Sequence, residues 1–296
     1  MKILYLDTFI HKKNKIGFIL MCKSHNIECI ISKESHNFDK EWDLVFIPSD
    51  FINPSMFPNA RNIMYGPHNF TLVNGIWKKG QFIFPTNCFY NLLSDWIIDV
   101  QNEVGGLCIA TKPIPFAVDV DNFSPIVPIV KNYDCFIYFK GRSRRCLEMV
   151  INEVRAKNLS CNIIQYGSYD EETYKKVIRE SKFGIWIGSH ESQGFALEEC
   201  LSCDTPLLIY NVTTMFDEHD STNKICYTNE VGKYKLIATS SPYWDERCGL
   251  QFTEEKDISV YIDRMVLEYS TFKPRDFILE TLSPKVCMDR LVNNLT

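Results

Sequence analysis

The sequence predicts an α/β protein of two domains, each built on a parallel sheet. Three observations lead there. Short apolar runs without strict alternation recur along the chain and are followed by stretches of helical spacing, a proline-marked passage interrupts them, and the series then restarts. Strands this uniformly apolar suit sheets covered on both faces. A length of 296 residues accommodates two domains of ordinary size, and 45% hydrophobic with 23% charged residues excludes disorder, collagen and low complexity as the dominant state.

The first unit opens with an apolar strand, Lys2 to Leu6, a polar loop and a helical pattern through Phe18, Leu20, Met21 and Ile27. Further strands are predicted at Glu28–Ile31, Leu44–Pro48, Asn62–Gly66 and Phe82–Pro85, and a helix at Cys88–Val100 from the spacing of Phe89, Leu92, Leu93, Trp96 and Ile97. Prolines from Pro113 to Pro128 then remove backbone donors and resist both helix and central strand, which sets the domain boundary. The expected division is a reduced N-terminal domain over 1–115, a linker over 116–130 and a C-terminal domain over 131–296.

In that second domain strands are predicted at Cys135–Phe139, Asn162–Tyr166, Phe183–Ile187 and Leu207–Tyr210, and helices at Arg144–Lys157, Asp170–Ser181 and Gly194–Ser202. Beyond about Asp257 the chain reads as helical, with Ile258, Ile262, Met265 and Val266 on one face, until Pro274 breaks it. Two such domains are expected to face one another across a cleft at the C-terminal ends of their strands, so chemistry is sought in strand-to-helix loops.

A formal charge of −5 provides no global basic field, so no nucleic-acid partner is expected. Twelve cysteines are scattered without a disulfide framework and read as reduced thiols; Cys200 and Cys203 lack the second ligand pair that zinc needs and read as helix packing. No run approaches the eighteen apolar residues of a spanning helix, and the first apolar run is too short for a signal peptide. The expected location is cytoplasmic, with membrane contact limited to the protein surface.

The richest loop runs Ser189-His190-Glu191-Ser192-Gln193-Gly194 and leads into a helix whose free N–H groups and dipole suit a diphosphate. Glu191 and Glu199 read either as acceptors for the vicinal hydroxyls of an extended ligand or as a helix cap and a solvated charge. Lys140-Gly141-Arg142-Ser143-Arg144-Arg145 puts cations at a helix N-terminus, where they are unfavourable unless an anion binds. Ser168, beside Gly167, reads either as a nucleobase contact or as a cap for the next helix. His68, after Gly66-Pro67, reads as structural or as an active-site group.

Two glutamates separated by seven residues, with Thr205-Pro206-Leu207-Leu208-Ile209 beyond, resemble the signature of family 4 of the retaining glycosyltransferases, which have the GT-B fold of two Rossmann-like domains. The block Pro115-Phe116-Ala117-Val118-Asp119-Val120-Asp121-Asn122-Phe123-Ser124-Pro125 resembles the linker segment of the same family. The resemblance implies that Glu191 contacts the donor sugar and Glu199 the ribose. It implies a diphosphate turn formed by Ser192, Gln193, Gly194, Phe195 and Ala196. Lys140 and Arg142 would neutralise the leaving group, with Arg144 or Arg145 as substitute, although their spacing departs from the family's.

By the same resemblance Gly167 and Ser168 seat the nucleobase and His68 lies beside the reacting sugar. Asn14 or Lys15 stands in for a glycine-rich loop that this sequence lacks. Asp119-Val120-Asp121 also matches the metal motif of the GT-A fold, but its place in the linker block implies no required metal and no cofactor. Ser240 to Gly249 carries many contact groups and no assignable chemistry.

The expected function is transfer of a hexosyl or pentosyl unit from a nucleoside-diphosphate sugar to a glycan or other hydroxyl acceptor, with retention, as in glycan biosynthesis. A nucleotide-sugar epimerase of the same fold and an inactive nucleotide-sugar-binding protein are the alternatives.

Overall fold

A computed structural model describes residues 1–68, 73, 75–128, 130–217 and 236–295. Residue 129 of the expected linker and Cys226 lie outside them. The chain divides into two units, Met1–Asp119 with Thr281–Thr296, and Val120–Glu280.

The first unit holds β1 (Lys2–Leu6), α1 (Lys12–Ser24), β2 (Glu28–Ser32), β3 (Leu44–Ile47), β4 (Ile63–Tyr65), β5 (Cys88–Asn91), α2 (Asp95–Glu103) and β6 (Ala110–Lys112). All pairings in its sheet are parallel, in the order β2-β1-β3-β4-β5-β6. Every residue of β3 and β4 is buried, which explains why the apolar runs did not alternate. On one face Tyr5, Phe18, Phe46 and Phe116 form a ring cluster with centroids 4.5–5.8 Å apart. Phe116 reaches that cluster because Gly17 of α1 has no side chain; a Cβ there would lie 2.5 Å from the Ala117 carbonyl oxygen. The start of the expected linker is therefore core, with Ile114, Phe116, Ala117 and Val118 all buried.

Two expectations are corrected here. Phe82–Pro85 is not a strand, and Cys88–Asn91 is a strand rather than the start of a helix, pairing with Ile63–Tyr65 before α2 begins at Asp95. All four residues of β5 are buried, whereas Ile83 is 91% exposed and Phe82 and Phe84 cover the aromatic edge formed by Phe51 and Trp77.

The second unit holds β7 (Tyr133–Phe139), α3 (Arg144–Ala156), β8 (Cys161–Gln165), α4 (Glu171–Glu180), β9 (Ser181–Ile187), α5 (Phe195–Ser202), β10 (Leu207–Tyr210), β11 (Gly249–Phe252), α6 (Ile258–Glu268) and α7 (Pro274–Thr281). Its sheet is parallel with the order β11-β10-β9-β7-β8. Strands β6 and β11 were not anticipated. On α6 Ile258, Ile262 and Met265 are buried, but Val266 is 39% exposed because one further residue turns past the stripe.

The last helix, α8 (Pro284–Asn293), groups with the first unit, although the sequence assigned it to the second domain. It packs against α1, and His25 Nε2 meets Asp289 Oδ1 at 2.8 Å. Among the described residues no helix is long and apolar enough to cross a membrane.

Candidate functional site

In the second unit the strand order reverses between β7 and β9, since β8 lies on one side of β7 and β10 and β11 on the far side of β9. Loops leaving the carboxyl ends of such strands diverge and open a crevice. Lys140 follows β7 and Glu191 follows β9, and the two meet there with Nζ 2.6 Å from Oε1. Burial opposes the charge on Lys140, but the attraction and hydrogen bond of Glu191 outweigh it, and the ammonium sits above the ordinary lysine value. The ammonium also lies 4.8 Å from the ring centre of Tyr166.

Arg142, on the same loop as Lys140, is only 8% exposed. Its Nη1 donates to the carbonyls of Gly188 and Tyr210 at 3.3 Å each, and its guanidinium lies 4.5 Å from the Tyr210 ring centre. Its Nε is buried without a partner among the described residues, so a desolvated cation retains a donor. Gly141 permits the two loops to touch, because a Cβ there would lie 2.8 Å from Ser189 Oγ, and its φ of +64° suits glycine.

Gly194 caps α5 in the left-handed region with φ 97° and ψ 44° and, as a glycine, makes no side-chain cap of its own. N–H groups at the start of such a helix suit an anion. Glu199 is not a solvated charge, being 4% exposed. Ser192 and Gln193 lie on the turn itself, while Phe195 and Ala196 start the helix; Tyr174 of α4 donates its hydroxyl to the Ala196 carbonyl.

An aromatic floor lies below. Tyr138 stacks on Trp186 at 3.8 Å, and the Tyr138 and Tyr169 hydroxyls are 3.3 Å apart. Gly167, with φ +78°, has open space where a side chain would stand, and Ser168 is exposed. Ser168 does not cap α4; Asp170 does, accepting from Thr173 N at 2.8 Å. Arg144 is exposed on the first turn of α3, and Arg145 pairs with Glu255 at 3.1 Å, away from the buried Arg142.

Sequence reasoning missed three supports. Ser240, in the segment left without chemistry, donates its hydroxyl to the Gly188 carbonyl and its backbone N–H to Asn211 Oδ1, at 3.3 and 2.8 Å. The neighbouring Thr239 carbonyl accepts from Glu191 N at 3.0 Å, so this segment braces the Glu191 loop. Tyr210 carries Arg142, and Glu198 is fully buried. No local pattern distinguishes these residues, because their partners lie 29 to 68 residues away or, for Glu198, because two adjacent glutamates on a helix look alike.

His68, Asn14 and Lys15 belong to the first unit. His68 Nδ1 bonds the Tyr90 hydroxyl, and its ring stacks on Tyr90 at 5.5 Å. Burial holds it below the ordinary histidine value, partly offset by the Ser49 backbone and the charge of Asp50. Asn14 is buried in the first turn of α1, and Lys15 pairs with Asp7 at 3.1 Å. Among the described residues no group of three or more His, Cys, Asp or Glu side chains could hold a metal ion.

The sequence matches no protein-family model and no curated protein. Solved structures do resemble it. One is AviGT4, a glycosyltransferase involved in avilamycin A biosynthesis, with TM-score 0.58, 11% identity, and coverage of 99% of this chain and 96% of that one. The lipopolysaccharide outer core galactosyltransferase WaaB gives 0.55 and 10%, covering 99% and 98%. An S. aureus TarM mutant in complex with fondaparinux, alpha-GlcNAc-glycerol and UDP gives 0.50 and 13%, covering 95% of this chain and 58% of that one. The two parallel α/β units are those of the GT-B fold.

Proposed function

We propose that the chain is a glycosyltransferase that takes a sugar from a nucleoside-diphosphate donor held by its second unit and passes it to a glycan or other hydroxyl acceptor, with retention. The observation that carries this reading is the meeting of Lys140 and Glu191 at the order reversal of the sheet, beside buried Arg142 and the glycine-capped start of α5.

Breaking a glycosyl–phosphate bond builds negative charge on the departing diphosphate. Cations and N–H groups already aimed at it lower the barrier without reorganising in the transition state. Lys140, the free Nε of Arg142 and the first turn of α5 provide that charge from the protein alone, so no metal is required in this reading. Glu191 both orients Lys140 and offers a carboxylate oxygen to sugar hydroxyls, while Glu199 takes the ribose and the Gly167–Ser168 turn, with its open space, takes the base. Retention follows if the acceptor hydroxyl attacks the face that the phosphate leaves, the phosphate taking its proton. His68, whose burial disfavours the charged imidazolium, is the first unit's candidate for contact with the reacting sugar, with Asn14 or Lys15 at the phosphates.

The test is a thermal-shift panel of nucleoside diphosphates and nucleotide sugars with and without chelator, followed by acceptor-dependent release of nucleoside diphosphate. A ligand of the folded state raises the melting temperature by mass action. The expected result is a chelator-insensitive shift with one base, abolished in Glu199→Ala. Lys140→Ala should cut turnover at least a hundredfold, the scale of removing one transition-state donor. Absence of any shift across the panel would overturn the donor site.

A further inference from the structure

Gln193 and Glu198 form a pair that the two-glutamate motif does not contain. Glu198, in the first turn of α5, is 0% exposed, and Gln193, itself buried, donates Nε2–H to its Oε2 over 3.0 Å. The second oxygen, Oε1, is buried without a hydrogen-bond partner among the described residues. The neighbouring charges that act on this carboxyl are both negative, Glu199 on the same helix and Glu191 on the loop before it. From α4, which packs against α5, Tyr174 turns its hydroxyl to the Ala196 carbonyl.

We propose that Glu198 is a positioning residue of this site: its carboxyl grips Gln193 across the turn and thereby fixes the backbone path from Ser192 to Gly194 where a diphosphate is received. The inference rests on the donor-site reading above. Gln193 immediately precedes the left-handed Gly194, and Glu198 N donates to the Gly194 carbonyl at 3.0 Å, so the side-chain bond and the backbone bond close around the same turn. Without the side-chain bond, Gln193 and the glycine beside it regain freedom, and the N–H groups of the first turn lose their fixed direction.

The grip belongs to the uncharged acid. Burial, followed by the charges of Glu199 and Glu191, pushes Glu198 well above the ordinary glutamate value, and the Gln193 donor opposes this only in part. Oε2 accepts from Gln193, which leaves the proton on Oε1. Loss of that proton would place a third carboxylate charge within the segment from 191 to 199 and repel the diphosphate.

Binding of UDP, GDP and ADP by calorimetry from pH 5.5 to 9, on the full chain and on Glu198→Gln and Glu198→Leu, tests this. Glutamine keeps an acceptor for Gln193 and cannot ionise. Wild-type affinity should fall about tenfold or more toward high pH. Glu198→Gln should stay flat near the wild-type low-pH value, and Glu198→Leu should bind about three- to tenfold more weakly throughout, the scale of one hydrogen bond. Identical pH profiles for wild type and Glu198→Gln would overturn the proposal.

Melting temperature against pH without nucleotide is the second readout. Because the folded-state pKa of Glu198 is raised, its share of stability is complete below the unfolded value near 4.5 and is lost as pH rises through the folded value. Wild type should therefore fall progressively below Glu198→Gln as pH rises. If that divergence appears but no protein binds any of the three nucleotides, the donor reading fails and the acid grip stands. If neither appears, both fail.

Discussion

Gly194 concentrates the residue-scale argument. Its backbone occupies the left-handed region, and a Cβ added there would meet Glu191 Cβ at 3.5 Å, an ordinary contact. Gly194→Ala therefore costs backbone strain rather than a clash, about 1–2 kcal/mol. Denaturant titration should show a stability loss of that size, while nucleotide affinity should fall by more than the change in folded fraction explains, because the strained turn is the one that faces the ligand. Gly141→Ala adds a 2.8 Å approach to Ser189 Oγ and should be the more damaging of the two. Equal stability loss with unchanged nucleotide affinity in Gly194→Ala would take the α5 turn out of the site. At this scale the sequence offered Glu191, Glu199 and the cations after β7 as candidates through residue type, loop position and the resemblance of their spacing to a family signature. It could not separate buried Arg142 from exposed Arg144, because that difference arises from carbonyls of β9's loop and of β10 that approach only in the fold.

At the scale of elements, α8 carries the clearest prediction. Cys287, Met288 and Leu291 are fully buried against the first unit, although the helix is reached only after the whole of the second unit. Burying a Met or Leu side chain stabilises by about 1.5–3 kcal/mol, so Met288 and Leu291 alone make roughly 3–6 kcal/mol. A domain is stable by only about 5–15 kcal/mol, which makes the helix decisive for the first unit. A chain ending at Ser283 should show loss of that unit's protease resistance and near-ultraviolet dichroism, whereas His25→Ala, removing one partly exposed contact, should change either little. The misplacement of α8 and the misassignment of Cys88–Asn91 have a common physical cause. Apolar periodicity reports that a segment has a face to bury but not which surface covers it, and a four-residue buried strand followed three residues later by a helix imitates one long helical pattern. Strands β7, β8 and β9 of the second unit, each followed by a helix, offered no such ambiguity.

At the scale of the molecule each unit has its own sheet and its own buried cluster, one formed around Val45, Ile63 and Trp77, the other around Ile137, Ile185 and Leu208. Each is large enough to unfold as a cooperative body. Scanning calorimetry should therefore resolve two transitions. Most residues proposed for the donor, among them Lys140, Arg142, Glu191 and Glu199, lie in Val120–Glu280, whereas His68, Asn14 and Lys15 lie in the first unit. A nucleoside diphosphate at a hundred times its dissociation constant stabilises whatever binds it by about 2.7 kcal/mol. For a unit of about 160 residues that corresponds to roughly 5–10 °C. The nucleotide should move one transition by that amount and leave the other in place, and Glu199→Ala should cancel the shift without merging the two. Proteolysis of the heated protein with nucleotide present identifies which transition moved, since fragments from Val120–Glu280 should survive longest. Equal displacement of both transitions would mean that ligand binding draws on both units, and would give the first-unit candidates His68, Asn14 and Lys15 an equal share in holding the donor.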